Sequence, residues 1–299
     1  ALIESISPKL VVTNIVSSTD FHITAKIFEK KKIKFLTIQN ANYAGSDYLK
    51  LTNLAKNFFI PEFLCFSEYD KEIFTKSICT VKKFTIIGSL KSSLAKEYIN
   101  KKKIKINKNK YDICLISEAK TTDGDFKHIK NYEEIPGIIA EYTHRLCKKK
   151  NFKLVFSGRS KLEDISRDEE LHYYNKFLKN YDFKISQKYR REYGTHVNMM
   201  ESKLVIGQGS TALREATSYQ KKVLWCNNFE GHPDLPYPVN GPCVLIGSSY
   251  EEFERKALEI LYMDEEQYRN SLSKKMEFIM NYDVDTAGFI RNRIKELIR

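Results

Sequence analysis

The stretch Met200-Glu-Ser-Lys-Leu-Val-Ile-Gly-Gln-Gly-Ser-Thr-Ala-Leu-Arg-Glu-Ala216 reads, in order, as the end of a helix, a buried strand, a glycine turn and the start of a new helix. The short apolar run from Lys203 to Ile206 is typical of a strand covered on both faces. Gly207 and Gly209 then permit a sharp turn and a close approach of the backbone to another group. The stretch therefore predicts a strand–turn–helix unit of an α/β domain.

The helix after this turn has a capping residue and an acidic side chain near its start. Ser210 or Thr211 can cap it, and Glu215 lies within its first two turns. Exposed amides and the positive end of a helix dipole bind phosphate readily, and Glu215 could reach a ribose hydroxyl beside that phosphate. A nucleotide site is one interpretation. An ordinary capped helix is the other, because a single glycine turn is a weak signal.

Strand-like and helix-like runs alternate along the whole chain, which favours a mostly parallel α/β architecture. The stretch from Lys101 to Lys110 is charged, has almost no core residues and separates two such patterns. We predict Rossmann-like domains over 1–100 and 111–285, a linker over 101–110 and a C-terminal helix over 286–299. A nucleic-acid-binding arm is the alternative for the linker, but the run is short and has no interleaved aromatic residues.

Apolar runs and their flanking residues assign the elements of both patterns. Strands are predicted at Leu10–Thr13, Lys34–Gln39, Phe63–Phe66, Lys83–Ile87, Asp112–Ser117, Lys153–Ser157, Phe183–Ile185, Lys203–Ile206, Lys222–Cys226 and Cys243–Ile246. Helices are predicted between them, with longer ones at Ile135–Lys150, Tyr250–Met263 and Glu265–Met280.

Size and charge restrict the class of protein. With 299 residues, of which 42% are hydrophobic, the chain can bury a sizeable core. Its net charge of +12 favours anionic partners such as nucleotides, phospholipid headgroups or nucleic acid. Many of the lysines stand next to asparagine or isoleucine, as AT-rich coding favours, which weakens that argument. No apolar run approaches the roughly 20 residues of a membrane span, and we expect no signal peptide.

The sequence predicts neither a metal nor a cofactor. Its six cysteines form no CxxC pair and no zinc spacing, so they read as reduced core thiols of a cytosolic protein. No HExxH, DxD, GxSxG or Walker A sequence is present. The absence of DxD disfavours a sugar-transfer site that holds its diphosphate through a metal, and a helix N-terminus can take that role.

Three predicted strand ends in the second half bring polar groups to one sheet edge: Ser117-Glu118, Ser157-Gly158-Arg159 and the turn from Gly207 to Thr211. Arg159 could bind a phosphate with two parallel hydrogen bonds, or form a surface salt bridge. Glu118 could be a catalytic base or nucleophile, or a solvated loop glutamate.

Two histidines and one loop complete the candidates. His196 stands at a helix start ahead of the glycine turn, where a structural role is the alternative to a catalytic one. His232 lies in the loop Phe-Glu-Gly-His-Pro and is a further candidate. In the first half, Gln39 and Asn40 follow a strand at the edge where open α/β sheets bind ligands.

The motifs of the second half are, in order, a strand ending in Ser-Gly-Arg, a short helix, Lys-Leu-Val-Ile-Gly-x-Gly-Ser-Thr-x-x-x-Glu-Ala and then Lys-Lys-Val-Leu-Trp. This order of motifs resembles the C-terminal half of GT-B glycosyltransferases. It is most similar to bacterial surface-carbohydrate biosynthesis proteins, distant relatives of Kdo transferases and CDP-glycerol-type polymerases. Phe35-Leu-Thr-Ile-Gln39-Asn40 resembles that family's strand ending in QNG or QHG, although Ala41 replaces the glycine. Phe63-Leu-Cys-Phe-Ser-Glu-Tyr-Asp-Lys and Thr85-Ile-Ile-Gly88-Ser89 resemble its strands before the linker. The first half is shorter than a full acceptor domain by several strands.

This resemblance implies two Rossmann-like domains that face a central cleft, with an activated sugar nucleotide bound mainly by the second. Donor-binding residues would be Ser117, Ser157, Gly158, Arg159, Gly207, Gly209, Ser210, Thr211 and Glu215. Acceptor-side residues would be Gln39, Asn40, Gly88 and Ser89. The Kdo-type relatives place an acidic residue after the first strand of the second domain, which supports Glu118 as the catalytic residue. His196 is a second catalytic candidate, and Asp123 or Asp125 could take the role of Glu118.

We therefore predict a glycosyltransferase that moves a sugar from a nucleotide sugar, with a CMP-Kdo-like donor as one expectation, to a growing surface polysaccharide or lipopolysaccharide. Expected partners are the nucleotide sugar, an oligosaccharide or glycolipid acceptor and an anionic membrane surface, but no nucleic acid. The expected place is the cytoplasm, at the inner face of the bacterial inner membrane. A non-hydrolysing nucleotide-sugar epimerase is one alternative, although the sequence lacks a dense cluster of acidic residues and histidines. An inactive nucleotide-binding GT-B domain is the other.

Overall fold

The chain forms two compact units in a computed structural model. One unit combines Ala1–Leu94 with Glu277–Arg299, and the other is Ala95–Met276. The structure describes residues 6, 8–16, 19–41, 58–77, 79–119, 133–227, 242–247, 249–272, 275–282 and 284–299. The first boundary falls at Leu94, ahead of the predicted limit at residue 100, and the helix predicted as a separate element over 286–299 groups with the first unit.

The first unit is built on a parallel four-stranded sheet with the strand order β1-β2-β4-β6, and a two-stranded sheet pairs β3 with β5. Its strands are β1 (Leu10–Thr13), β2 (Lys34–Ile38), β3 (Phe59–Ile60), β4 (Glu62–Cys65), β5 (Thr80–Val81) and β6 (Phe84–Ile86). Its helices are α1 (Thr19–Lys30), α2 (Glu68–Lys76), the start of α3 (Leu90–Lys102), α10 (Met276–Ile279) and α11 (Thr286–Ile298).

Helix α11 covers one face of this first sheet. Ile290 packs into a buried cluster with Leu36, Leu64 and Ile87 from the strands and the segment after β6. Arg293 of the same helix donates from Nε and Nη2 to the two carboxylate oxygens of Glu62, at 2.9 and 2.7 Å. The last helix is therefore a structural part of the first unit.

The second unit is built on a parallel six-stranded sheet with the strand order β12-β11-β10-β7-β8-β9. Its strands are β7 (Tyr111–Ile116), β8 (Leu154–Ser157), β9 (Ile185–Ser186), β10 (Ser202–Gly207), β11 (Lys222–Asn227) and β12 (Val244–Ile246). Its helices are α4 (Ile135–Lys150), α5 (Arg167–Leu178), α6 (Gly194–Met200), α7 (Thr211–Thr217), α8 (Tyr250–Tyr262) and α9 (Glu265–Ser271).

Strand β10 lies in the middle of this second sheet. Leu204, Val205 and Ile206 are 0% exposed, as the two-sided apolar pattern predicted. Ile206 is in register with Leu115 of β7 and with Leu224 of β11. Because neighbouring strands run parallel, β7, β8 and β10 end at the same sheet edge, where open α/β sheets bind ligands.

Three sequence-based assignments differ from the structure. The helix predicted over Glu265–Met280 is wrong as one element: α9 ends at Ser271 because Leu272 takes an extended conformation, and α10 begins at Met276. Helix α3 continues through Lys102 into the predicted linker. The short strands β3 and β5 were missed, because two residues carry too little pattern to predict a strand.

Candidate functional site

The carboxylate of Glu118 binds the backbone of the glycine turn. Its Oε1 accepts from the amides of Gln208 at 2.6 Å and Gly209 at 3.2 Å, and its Oε2 accepts from Gly209 at 2.9 Å. A Cβ atom at Gly207 would lie 2.8 Å from Glu118 Oε1, so a glycine is needed there for this contact. The structure thus brings together the predicted carboxylate and the predicted turn.

The turn leads directly into the capped helix α7. Ser210 is the N-cap, and its Oγ accepts from the amide of Ala212 at 3.2 Å, which confirms one of the two predicted capping residues. Thr211 is the first residue of the helix. At Gly209, a Cβ atom would meet none of the atoms in the described part of the chain within 4 Å. Packing therefore does not explain why residue 209 is a glycine.

Glu170 of α5 holds the ends of β7 and β8 together. Glu170 is 3% exposed, and its carboxylate accepts from the amides of Arg159 at 2.8 Å and Ser160 at 3.0 Å. It also accepts from Nε2 of Gln187 at 3.0 Å and from the hydroxyl of Ser117. The predicted donor residue Ser117 therefore has an internal partner. Sequence reasoning missed Glu170, because an acidic residue in the first turn of a helix is an ordinary feature.

Tyr174, one turn further along α5, fixes the residue that carries the site carboxylate. Its hydroxyl accepts from the amide of Glu118 at 3.0 Å and lies 3.3 Å from Ser117 Oγ, whose single proton is donated to Glu170. Burial raises the pKa of Tyr174 well above its usual range, while the contacts with Ser117 and Glu118 lower it in part. The phenol therefore stays neutral, and it positions the main chain at the end of β7.

Ser157 and Gly158 at the end of β8 are packed by neighbouring elements. Ser157 Oγ accepts from Nδ2 of Asn198 at 3.2 Å. A Cβ atom at Gly158 would lie 2.8 Å from Cγ2 of Ile185 and 2.7 Å from Cγ of Gln187. The glycine is therefore required by the close approach of β9 and the residue that follows it.

Arg159 is an exposed cation at this edge. Its Nη1 donates to the carbonyl of Ala119 at 2.9 Å, which links the end of β8 to the segment after β7. The bond leaves other donors of the guanidinium for further contacts, because the group carries five N–H bonds. Among the described residues, this backbone carbonyl is the side-chain partner of Arg159, in place of the surface salt bridge considered from sequence.

His196 and Glu215 lie next to each other in the second unit. They are 7% and 4% exposed, and His196 Nε2 is 3.8 Å from Glu215 Oε2. His196 Nδ1 is hydrogen-bonded to the hydroxyl of Tyr219 at 2.9 Å. The predicted ribose-binding carboxylate therefore has a buried histidine beside it. Its contact with ribose and the catalytic role of His196 stay predictions.

The acceptor-side candidates of the first unit are engaged in its own structure. Gln39 is 2% exposed; its Oε1 accepts from the amide of Phe66 at 2.8 Å, and its Nε2 donates to Asp70 at 2.6 Å. Asn40 is half-buried at the end of β2.

Gly88 and Ser89, the other acceptor-side candidates, follow β6. Gly88 has a φ of +74°, and a Cβ atom there would clash with the carbonyl oxygen of Asn281. Ser89 Oγ accepts from the amide of Ser92 at 3.2 Å, at the start of α3. These contacts explain the residue types structurally, and an acceptor-binding role stays a prediction.

Asp123, Asp125 and His232 lie outside the described residues. Within the described ranges, no group of three or more histidine, cysteine, aspartate and glutamate side chains is arranged to hold a metal ion. Of the six cysteines, all free thiols, five are buried, and burial raises the pKa of Cys147 and of Cys243 to about 12. None of the helices that the structure describes is long and apolar enough to cross a membrane.

Two units with parallel sheets of the Rossmann type define the GT-B fold, which this chain shares with solved enzyme structures. The UDP-GlcNAc 2-epimerase of Neisseria meningitidis, solved with UDP-GlcNAc, is 16% identical with a TM-score of 0.62, over 98% of this chain and 78% of that chain. The epimerase of Methanocaldococcus jannaschii, in complex with UDP-GlcNAc and UDP, is 13% identical with a TM-score of 0.61, over 98% and 78%.

A glycosyltransferase from Rickettsia africae is 13% identical with a TM-score of 0.50, over 100% of this chain and 79% of that chain. By sequence, no protein-family model and no curated protein matches this chain. At these identities the likeness shows the fold.

Proposed function

We propose that this chain is a glycosyltransferase that binds a nucleotide sugar at the edge formed by β7, β8 and β10 and transfers the sugar to an oligosaccharide or glycolipid acceptor of the cell surface. The observation that carries the proposal is the contact between Glu118 and the turn before α7. It gathers a carboxylate, backbone amides and a capped helix start at the edge where open α/β sheets bind ligands. The GT-B fold adds support, because enzymes that act on nucleotide sugars are built on it.

The diphosphate of the donor is the leaving group, and the negative charge that develops on it requires hydrogen-bond donors or a cation. We assign the hydroxyls of Ser210 and Thr211 and the guanidinium of Arg159 to this task. Glu118 would act as the base that takes the proton of the acceptor hydroxyl. Its amide contacts give it a second task, which is to order the turn. Asp123 or Asp125 replaces it as base if ordering is its only task.

The donor base is the first property to test. The solved enzymes of this fold include complexes with UDP and UDP-GlcNAc, so we propose uridine donors ahead of CMP-Kdo. The resemblance to Kdo transferases keeps CMP-Kdo as the second donor class.

A nucleotide-sugar 2-epimerase is the second candidate function. It is favoured by the TM-scores of 0.61 and 0.62 with two UDP-GlcNAc 2-epimerases, against 0.50 with the glycosyltransferase. An epimerase inverts a carbon of the sugar and needs no acceptor.

One incubation separates these functions. Purified protein is mixed with UDP-GlcNAc, UDP-glucose or CMP-Kdo, with and without a surface-glycan acceptor, and the products are followed by proton NMR. Transfer predicts nucleotide release that depends on acceptor, whereas epimerisation predicts a new sugar signal without release. Binding without either product would indicate an inactive nucleotide-binding domain. Nucleotide sugars that neither bind nor react would contradict the proposal.

Two arginine substitutions test whether the nucleotide sugar binds at the edge formed by β7, β8 and β10. Arg159→Met should raise the Kd for the nucleotide sugar about tenfold, as the loss of one charge-assisted contact predicts. Arg255→Met is the matched control, because Arg255 is an exposed arginine of α8 that pairs with Glu259. Equal affinities of the two variants would remove Arg159 from the site.

We also propose that helix α1 attaches the protein to an anionic membrane surface in the cytoplasm. Ile23 and Ile27, one helical turn apart, are 48% and 47% exposed, and Lys26 and Lys30 are exposed on the same helix. Exposed apolar side chains next to lysines match a bilayer interface with anionic headgroups. This is also where a glycolipid acceptor would be found.

A further inference from the structure

Gln208 is a buried glutamine at the end of β10. Gln208 is 6% exposed. Its backbone amide donates to Glu118 Oε1 at 2.6 Å. Its side-chain Oε1 is buried and, in the part of the chain that the structure describes, accepts no hydrogen bond. The residue stands between Gly207 and Gly209, in the middle of the turn.

A buried amide oxygen without a partner is unfavourable, and native proteins contain few of them. In Gln39, which is also buried, both polar atoms of the side-chain amide are paired: Oε1 with the amide of Phe66 and Nε2 with Asp70. The carboxylate of Glu170 is likewise paired with the hydroxyl of Ser117 and with the backbone amide of Arg159. The unpaired oxygen of Gln208 therefore contrasts with the buried side chains of Gln39 and Glu170.

We infer that Gln208 is a ligand-binding residue whose side-chain amide accepts a hydrogen bond from the nucleotide sugar. The inference rests on the proposed function and adds a specificity-determining residue to it. An oxygen acceptor needs a donor, and phosphate oxygens of a diphosphate at neutral pH are acceptors. The bond must therefore come from a hydroxyl or the base N–H of the nucleoside, or from a hydroxyl or acetamido N–H of the sugar.

This assignment also gives the glycine at residue 209 a reason. Packing within the described residues leaves the space around its Cβ position open to at least 4 Å. A bare backbone next to Gln208 lets a ligand approach the amide oxygen closely. The two observations are independent, and they concern neighbouring residues of the same turn.

The test replaces Gln208 with methionine, which keeps the length of the side chain and removes the amide. In the ligand-free protein, the melting temperature should stay the same or rise, because an apolar group replaces an unpaired polar one. The Kd for UDP-GlcNAc should rise about tenfold, as the loss of one hydrogen bond predicts. Gln267→Met is the control, because Gln267 Oε1 accepts from Asp264 in the capping box of α9. That control should lower the melting temperature and leave the Kd unchanged.

A comparison of UDP with UDP-GlcNAc shows which part of the ligand donates the hydrogen bond to Gln208. If Gln208→Met weakens UDP and UDP-GlcNAc equally, the nucleoside supplies the bond. If it weakens UDP-GlcNAc alone, the sugar supplies it. A Kd unchanged for both ligands would overturn the inference, and so would a fall in melting temperature, which would show that the side chain holds the turn. If the wild-type protein binds no nucleotide sugar of any base, the proposed function itself fails, and the two failures are thereby distinguished.

Discussion

Both carboxylate oxygens of Glu118 lie within hydrogen-bond distance of the Gly209 amide, at 3.2 and 2.9 Å. The two residues are 91 positions apart in the sequence, and the contact joins the end of β7 to the turn after β10. A carboxylate that holds the turn is placed next to any ligand that the turn binds. Changes at Glu118 should therefore alter binding as well as chemistry.

We expect Glu118→Gln to weaken nucleotide-sugar binding and turnover together. The amide that replaces the carboxylate has one neutral accepting oxygen for the two backbone amides that Glu118 binds, and each charge-assisted bond contributes about 1.5–3 kcal/mol. Calorimetry with UDP-GlcNAc and a turnover assay measure the two effects. Glu259→Gln, on the exposed face of α8, is the control. Unchanged affinity with turnover reduced on the order of 10²-fold would instead assign Glu118 to proton transfer alone.

Removal of the cap of α7 should affect binding more than stability. Ser210→Ala loses the bond to the Ala212 amide and a hydroxyl at the proposed phosphate position, so we expect nucleotide binding to weaken by about 0.5–2 kcal/mol. Ser249→Ala removes an equivalent cap, since Ser249 accepts from the Glu252 amide at the start of α8. That control should lose stability and keep its affinity. Equal affinity in both variants would place the phosphate elsewhere.

Glu170 should contribute strongly to the stability of the second unit. Glu170→Ala leaves two amides and two side-chain donors without their buried acceptor, so we expect a loss of about 2–4 kcal/mol in the free energy of unfolding. Urea denaturation can be followed by the fluorescence of Trp225, the single tryptophan, which is fully buried in this unit. Glu169→Ala, the exposed neighbour on α5, should change little. A comparable loss in both variants would contradict the assignment.

The second unit should lose stability in mild acid through His144. Burial lowers the pKa of His144 below 6.5, although its bond to the Ala140 carbonyl raises it in part. The unfolded chain then binds a proton that the folded unit does not, so stability falls as the pH drops below about 6.5 and stops falling below the folded pKa.

The slope cannot exceed about 1.4 kcal/mol per pH unit for one proton, and His144→Phe should reduce it. Urea titrations between pH 7.5 and 5 measure the slope, with His172→Phe on the exposed side of α5 as the control. An unaltered slope in His144→Phe would show that other groups carry the acid sensitivity.

Membrane attachment should depend on two side chains of α1. The double variant Ile23→Ser, Ile27→Ser should reduce co-sedimentation with vesicles of phosphatidylserine and phosphatidylcholine, because the apolar contact with the interface is lost. Lys26→Glu should reduce it further at low salt, since each lysine near an anionic surface contributes about 1 kcal/mol. Ile165→Ser removes an exposed isoleucine of the second unit and should have no effect. Equal binding of wild-type protein to neutral and anionic vesicles would refute the proposal.

The local features of the site could be predicted from the sequence because short patterns specify them. The apolar run of β10, the glycine turn and the cap of α7 lie within 16 consecutive residues, and each has a mechanism that acts between neighbours in the chain. The contact of Glu118 with the turn could be expected only as a shared sheet edge. The bonds themselves appear only in the three-dimensional structure.

The supporting residues could not be predicted, because their partners are distant in the chain. Glu170 and Tyr174 meet Ser117 across 53 and 57 positions, and nothing around them differs from an ordinary amphipathic helix. The break between α9 and α10 was missed for a similar reason, since no proline or glycine marks it. The helix ends because the backbone of Leu272 is extended, and leucine is not a residue type that predicts a helix end.

Helix α11 gives the first unit an unusual order of assembly during synthesis. Strands β1 to β6 are translated before the second unit. Ile290, which packs against Leu36 and Leu64, is translated only after the whole of the second unit. The second unit is one continuous segment and can fold as soon as it emerges. The first sheet is thus made before the second unit and completed after it. Until then it presents an apolar face to solvent, which chaperones that hold nascent chains would bind.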